Sequence, residues 1–328
     1  MNPNCKNMLT NIYKNCNSIR QTASELKRIL SASIQYKMLS NYSTEQRGCL
    51  NDQSFRLYFK SKDNYIVSPF HDIPLHTDKD NIYNMVVEVP RWSNAKMEIC
   101  TREIMNPIKH DAKNGTLRYV ANCFPHHGYL WNYGCLPQTW EDPRYVESET
   151  NTKGDSDPID VCEIGSKIHR TGTVIKVKLL GILCLIDEDE TDWKIIAIDV
   201  NDPLAQQIDN VQDIEKKMPG LIEATVNWYK VYKTPFGSLP NKFAFGAELQ
   251  DVKFTSDIVH DVHMHWKKLM NTSSDVGIDI QRSCTVYDSP FRIIQSEAIQ
   301  SVKSQLPKGD AKPYDMDVNK WYYIENNM

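Results

Sequence analysis

The chain has 328 residues with 38 Lys and Arg against 42 Asp and Glu, a formal charge of −4. A hydrophobic fraction of 41% and a charged fraction of 24% exclude a largely disordered chain, and the absence of a basic excess argues against a nucleic-acid partner. At roughly one domain per 150 residues the length fits one large domain or two small ones.

The first 40 residues differ from the rest. Lys6, Lys14, Arg20, Lys27, Arg28 and Lys37 face a single acid, Glu25, so this leader carries +5 and the remainder −9. Two readings stay open. Ile19, Leu26, Leu30 and Ile34 roughly follow a helical stripe behind a cap at Thr22 or Ser24, as in a soluble extension. A basic, acid-poor leader also resembles a transit peptide, although its Arg content is low for one. The nine Cys are odd in number and irregularly spaced, which favours reduced thiols in an intracellular compartment. The longest apolar run, Leu179 to Ile186, is a buried strand and far short of a membrane span.

From about 50 to 200 short β-branched runs predict strands at Phe55–Phe59, Asn84–Val89, Leu117–Val120, Val161–Ile164, Thr173–Ile186 and Trp193–Val200. Asp187 to Asp192 reads as an acidic hairpin turn. Helices are expected at Asp209–Lys217 and Leu221–Val231, divided by Pro219-Gly220, and then through Phe254, Ile258, Val262, Trp266 and Leu269 or Met270 at i, i+4 spacing. The tail beyond 285 is expected to wrap the surface before a short strand at Trp321-Tyr322-Tyr323. This texture suits one compact domain with a mostly antiparallel sheet.

Carboxylates concentrate in two places. Asp155, Asp157 and Asp160 lie within six residues just before a strand, where they repel one another unless a cation sits between them. A hard divalent ion such as Mg²⁺ suits such oxygen ligands. The second place is the hairpin turn, whose ends would bring Asp187 and Asp192 together. An EF-hand fails for the first stretch, because Asp160 stands where Gly is needed and Ser166 where Glu is needed. Basic and aromatic residues form the second component. Lys96 and Glu98 share a strand face, Lys194 shares the face of Asp192, and Arg118, Tyr129, Tyr133, Tyr232 and Lys233 complete the set. The 13 Gly exclude a dinucleotide fingerprint and a P-loop, since no two are two or five apart. His260, His263 and His265 on the long helix lack a fourth ligand for zinc and read as a packed or exposed face.

The stretch Asp155-Ser156-Asp157-Pro158-Ile159-Asp160-Val161 resembles the signature of the soluble family I inorganic pyrophosphatases. Phe70–Pro74, Val87–Lys96, Pro137–Pro143 and Glu190–Lys194 are similar to the eukaryotic branch, and the likeness runs from about Tyr42 to the C-terminus. It implies an α+β chain, mainly β, with an OB-like five-stranded β-barrel core and flanking helices in residues 42–328, behind an extension or transit peptide at 1–41. It also implies Mg²⁺-dependent hydrolysis of inorganic pyrophosphate, with several Mg²⁺ per site, in a cytoplasmic homodimer with no nucleic-acid or membrane partner. A transit peptide would make the protein mitochondrial instead. By the same resemblance Asp155, Asp160 and Asp192 hold a metal pair, and Asp187 and Glu98 serve further ions. Asp157 deprotonates or orients water, while Lys96, Arg118, Tyr133, Lys194, Tyr232 and Lys233 bind phosphate. Glu88, Asp111, Tyr129 and Glu190 take supporting polar positions. One departure is Asp189, where the family usually has Gly. Two other classes remain: a nucleotide or polyphosphate hydrolase, for which no base-stacking or ribose-binding motif is evident, and an inactive binding protein, for which no lesion in the carboxylate set is visible.

Overall fold

Five strands close into a ring, and the three longest are apolar enough in sequence to be buried on both faces. In the computed structural model, which describes residues 41–272 and 277–324, the strands that position the site, apart from several two-residue ones, are β1 (Tyr42–Arg47), β2 (Arg56–Ser61), β3 (Ile82–Val89), β4 (Met97–Ile99), β5 (Ile108–His110), β6 (Asn132–Cys135), β7 (Lys153–Gly154), β8 (Asp160–Glu163), β9 (Val174–Asp187) and β10 (Glu190–Asp199). The helices are α1 (Val211–Lys217), α2 (Leu221–Val231), α3 (Val252–Asn271) and α4 (Gln295–Ser304). Strand β3 pairs with β6 and β9, β6 with β8, β8 with β10, and β10 returns to β9, which closes the barrel. All of these pairings are antiparallel except β8–β10. This is the expected OB-like five-stranded core, a Greek-key barrel. Met85, Val87, Val161, Ile195 and Ala197 pack with Ile258, Val259 and Val262 of α3. Val86, Val89, Cys162, Ile196 and Ile198 pack with Trp131, Ile214 and Trp228 in a second cluster. Near-continuous apolar runs follow from having both faces covered.

A second, antiparallel sheet runs β1-β2-β5-β4 and carries Glu98 on β4. Helix α1 starts at Asn210, whose side chain accepts from the Asp213 N–H, and α3 starts at Asp251, which accepts from Phe254 N–H. Between α1 and α2, Gly220 takes the left-handed φ of 80° that Pro219-Gly220 leads one to expect.

Several expectations need correction. The turn between β9 and β10 is two residues, Glu188-Asp189, because Asp187 pairs directly with Glu190. The predicted Leu117–Val120 strand shortens to Thr116–Leu117, hairpin partner of Ala112–Lys113. The tail is not all surface wrapping, since α4 buries Ala298 and Val302 against Tyr58, Ile66 and Met105. Strand β1 went unforeseen because it is a polar edge, with mixed exposure and no apolar alternation. On α3, His263 stacks on Trp266 at 5.4 Å with its Nδ1 2.6 Å from the Gln138 carbonyl, His265 lies 4.8 Å from the Tyr145 ring, and His260 is exposed. The described cysteines are free thiols, and no described helix is long and apolar enough to cross a membrane. The two readings of the leader fall on residues outside those described.

Candidate active site

The hairpin sets the first part of the site. Alternation along β10 puts Glu190, Asp192 and Lys194 on one face, and the parallel register sets Asp160 of β8 beside Lys194. Lys194 Nζ lies 2.5 Å from Asp192 Oδ1 and also donates to Asp160. The hydroxyl of Tyr133, from β6, donates to the same Asp160 oxygen and accepts from Lys194 Nζ at 3.1 Å. The turn that follows β7 delivers Asp155 and Asp157, with the Asp157 N–H donating to Asp155 Oδ1 at 2.9 Å.

A second set of ion pairs surrounds this one. Lys96 Nζ is 2.5 Å from Glu98 and 3.0 Å from Asp111, and Asp111 also accepts from Arg118 at 2.6 Å. At the end of α2, Tyr232 stacks on Trp228 at 4.7 Å, and Lys233 Nζ donates to both oxygens of Asp187 at 2.5 and 2.6 Å. Glu88 is buried and accepts from the Ile99 N–H at 2.6 Å. Tyr129 lies 5.1 Å from Tyr133, ring to ring.

Together these residues line one cavity of about 140 Å³. Every site residue expected from the sequence lines it except Asp111 and Glu190. Asp111 reaches the cavity through its ion pairs with Lys96 and Arg118. Glu190 sits at the hairpin end opposite Asp187, clear of the lining.

Electrostatics within the cavity is dominated by burial of like charges. Burial and then Asp160 push Asp155 up to about 6. Burial, then Asp155 and Glu98, hold Asp157 well above the usual carboxylate range. Asp192 is also raised well above it, by burial and by Asp160 and Asp155, even though Lys194 opposes the shift. Burial alone would lower Lys194, but Asp160 and Asp192 keep it firmly protonated. Lys96, Arg118 and Lys194 are therefore fixed positive charges, while Asp155, Asp157 and Asp192 favour whatever brings them further positive charge.

One residue was missed. Glu141, buried at the start of the loop that ends at Asp155, places a carboxylate oxygen within 4.8 Å of those of Asp155 and Asp192. Its Oε1 accepts from the Trp193 N–H at 3.2 Å, and Oε2 is buried without a hydrogen-bond partner. An acid following Thr139-Trp140 in an otherwise buried stretch was the available signal. A divalent cation fits this group: three carboxylates converge, one oxygen is orphaned, and burial raises Glu141 well above its ordinary pKa.

Barrel and cavity place clustered carboxylates, a donor set that suits hard cations, inside a surrounding ring of lysines, arginine and tyrosines, groups that suit oxyanions. A family profile described as Inorganic pyrophosphatase matches residues 85–267, and the chain belongs to that family. It is 48% identical to the inorganic pyrophosphatase of Homo sapiens, over 88% of this chain and 100% of that one. It is 46% identical to a Mus musculus protein named inorganic pyrophosphatase 2, mitochondrial, over 88% and 93% of the two chains. The structure of the inorganic pyrophosphatase from Schistosoma japonicum superimposes with a TM-score of 0.82 at 48% identity, covering 86% of this chain and all of that one.

Proposed function

We propose that this chain hydrolyses inorganic diphosphate to two phosphates, using Mg²⁺ held by its carboxylates. The observation that carries the reading is the single cavity in which Asp155, Asp157, Asp160, Asp187 and Asp192 meet Lys96, Arg118, Lys194 and Lys233. Diphosphate is a compact polyanion, so hydroxide is repelled and neutral water is too weak a nucleophile. Asp155, Asp160, Asp192 and Glu141 would hold Mg²⁺, with Asp187 and Glu98 available to further ions, and the metal would supply charge neutralisation and activation of the attacking water.

The chain's own groups do the rest. Asp157 accepts the proton of the attacking water, and a carboxylate raised by burial is better matched to that task near neutral pH than an exposed one. Lys96, Arg118 and Tyr133 position the oxygens of the phosphoryl group under attack. Lys194, Tyr232 and Lys233 meet the charge that builds on the departing phosphate. Glu88, Asp111 and Tyr129 orient these groups, Asp111 by bracing Lys96 and Arg118, and Glu190 flanks them at the end of the hairpin.

Phosphate release from diphosphate tests the reading. Turnover is expected with Mg²⁺, to vanish in EDTA, and to fall by roughly 10²- to 10⁴-fold in Asp157→Ala. Full activity in EDTA, or an unimpaired variant, would refute it, and a panel of nucleotides and longer polyphosphates reads the substrate preference. We place the protein in the cytoplasm as a homodimer, with residues 42–328 as the catalytic domain and 1–41 as an extension. Reduced thiols and the aromatic surface around Trp92 support this placement. Cell fractionation of the tagged full-length chain checks it, and recovery in mitochondria with loss of the leader would make residues 1–41 a transit peptide.

A further inference from the structure

Between Glu141, which lies beside Asp192, and Asp155 the chain runs out into a loop and returns, so the cation group is only as well placed as this loop is closed. Its neck is fixed by backbone: Ser156 N–H donates to the Glu141 carbonyl at 2.9 Å, and Glu141 N–H to the Asp157 carbonyl at 3.0 Å. Gly154 is required here, because a Cβ would meet the Glu141 backbone at 2.5 Å. The far side of the loop is held differently. Thr191 lies next to Asp192 on β10, and alternation turns its side chain to the opposite face. Its hydroxyl is fully buried and lies 2.6 Å from the Thr150 hydroxyl and 2.5 Å from that of Thr152, which are themselves 3.0 Å apart. A hydroxyl donates once and accepts freely, so three in a triangle can satisfy one another in a closed circuit. The same Thr191 pairs with Gly154, one residue before Asp155, in the parallel β7–β10 ladder.

We infer that Thr191 is a positioning residue for the cation group: through Thr150 and Thr152 it clasps the loop shut, fixing Asp155 against Asp192 and Glu141. Neither Thr150 nor Thr152 touches the cavity lining, and Thr191 turns away from it. The clasp acts only through Asp155 and the loop, as an outer partner that orients a metal ligand does. It rests on the reading of Glu141, Asp155 and Asp192 as cation ligands.

Thr191→Val keeps the branched shape suited to β10 and removes the hydroxyl, whereas Thr191→Ser keeps the hydroxyl. Mg²⁺ binding by calorimetry without substrate, and amide exchange over residues 147–154 in EDTA, read the two halves of the inference. Thr191→Val is expected to bind Mg²⁺ about 10-fold more weakly and to exchange faster in the loop, with Thr191→Ser restoring both. Thr150→Val/Thr152→Val should repeat the loss from the loop side, and stands in if Thr191→Val does not fold. Unchanged Mg²⁺ affinity in the valine variants, or a serine variant as weak as the valine one, would overturn the clasp. Asp155→Asn separates the two readings: if it binds Mg²⁺ as tightly as the parent, the cation group itself is wrong and the clasp falls with it.

Discussion

Glu147, in the loop between Glu141 and Asp155, shows what burial does to a carboxylate outside the cavity. It is half-buried, and burial, then Glu149 and Asp261, raise it from 4.5 to about 7. The folded protein therefore binds this proton more tightly than the unfolded chain does. Stability contributed at this position is present at low pH and is lost as pH rises from about 4.5 through about 7. Glu147→Gln removes that loss. Thermal melts should show the variant above the parent at about pH 8 and level with it at about pH 4; equal melting temperatures at the higher pH would refute this. At the same scale, the aspartates of the cavity were legible because Asp155, Asp157 and Asp160 crowd a short stretch that folding alone does not explain. Glu141 was not legible as a ligand, since its neighbours in space are Asp155 and Asp192, reached only after the loop has returned.

The β9–β10 hairpin shows the same division at the scale of an element. Both strands were visible as apolar β-branched runs, and the acidic segment between them as a turn. Its length was misjudged, because charged residues continue along the strand wherever one face meets the cavity. The two turn residues, Glu188 and Asp189, have φ of 49° and 68°. Such a two-residue turn favours Asn-Gly, with glycine at the second position. Aspartate tolerates the left-handed region better than most side chains but not as well as glycine. Asp189→Gly is expected to stabilise the fold by about 0.5–1 kcal/mol in denaturant titrations, with the Asp187–Lys233 pair retained. A destabilised variant would show that Asp189 makes a contact worth more than its backbone strain. Helix α4 escaped notice for a related reason: its buried pair, Ala298 and Val302, is too small a stripe to stand out from a polar tail.

At the scale of the whole molecule, closure of the ring leaves the second sheet with open edges, of which β1 is polar, and an aromatic surface also stays open. Trp92 is 56% exposed, Phe124 59% and Tyr323 76%, and the rings of Phe124 and Trp321 lie 6.0 Å apart. Exposed aromatic groups of this size mark association surfaces. In sedimentation, the proposed homodimer should shift toward monomer in Trp92→Glu while the fold persists. A parent sedimenting as a monomer at all concentrations would remove the dimer from the description.

The sequence by itself determined the apolar strands, the three helices between residues 209 and 271 and the identity of most of the cavity's charges, because periodicity and local crowding are properties of neighbouring residues. Only the tertiary structure decided which charges meet. The pairing of β8 with β10 sets Asp160 beside Lys194, and the end of α2 brings Lys233 to Asp187. The loop that returns at β7 joins Glu141 to Asp155. Such encounters depend on ring closure and strand register, which bring together residues that no local pattern links.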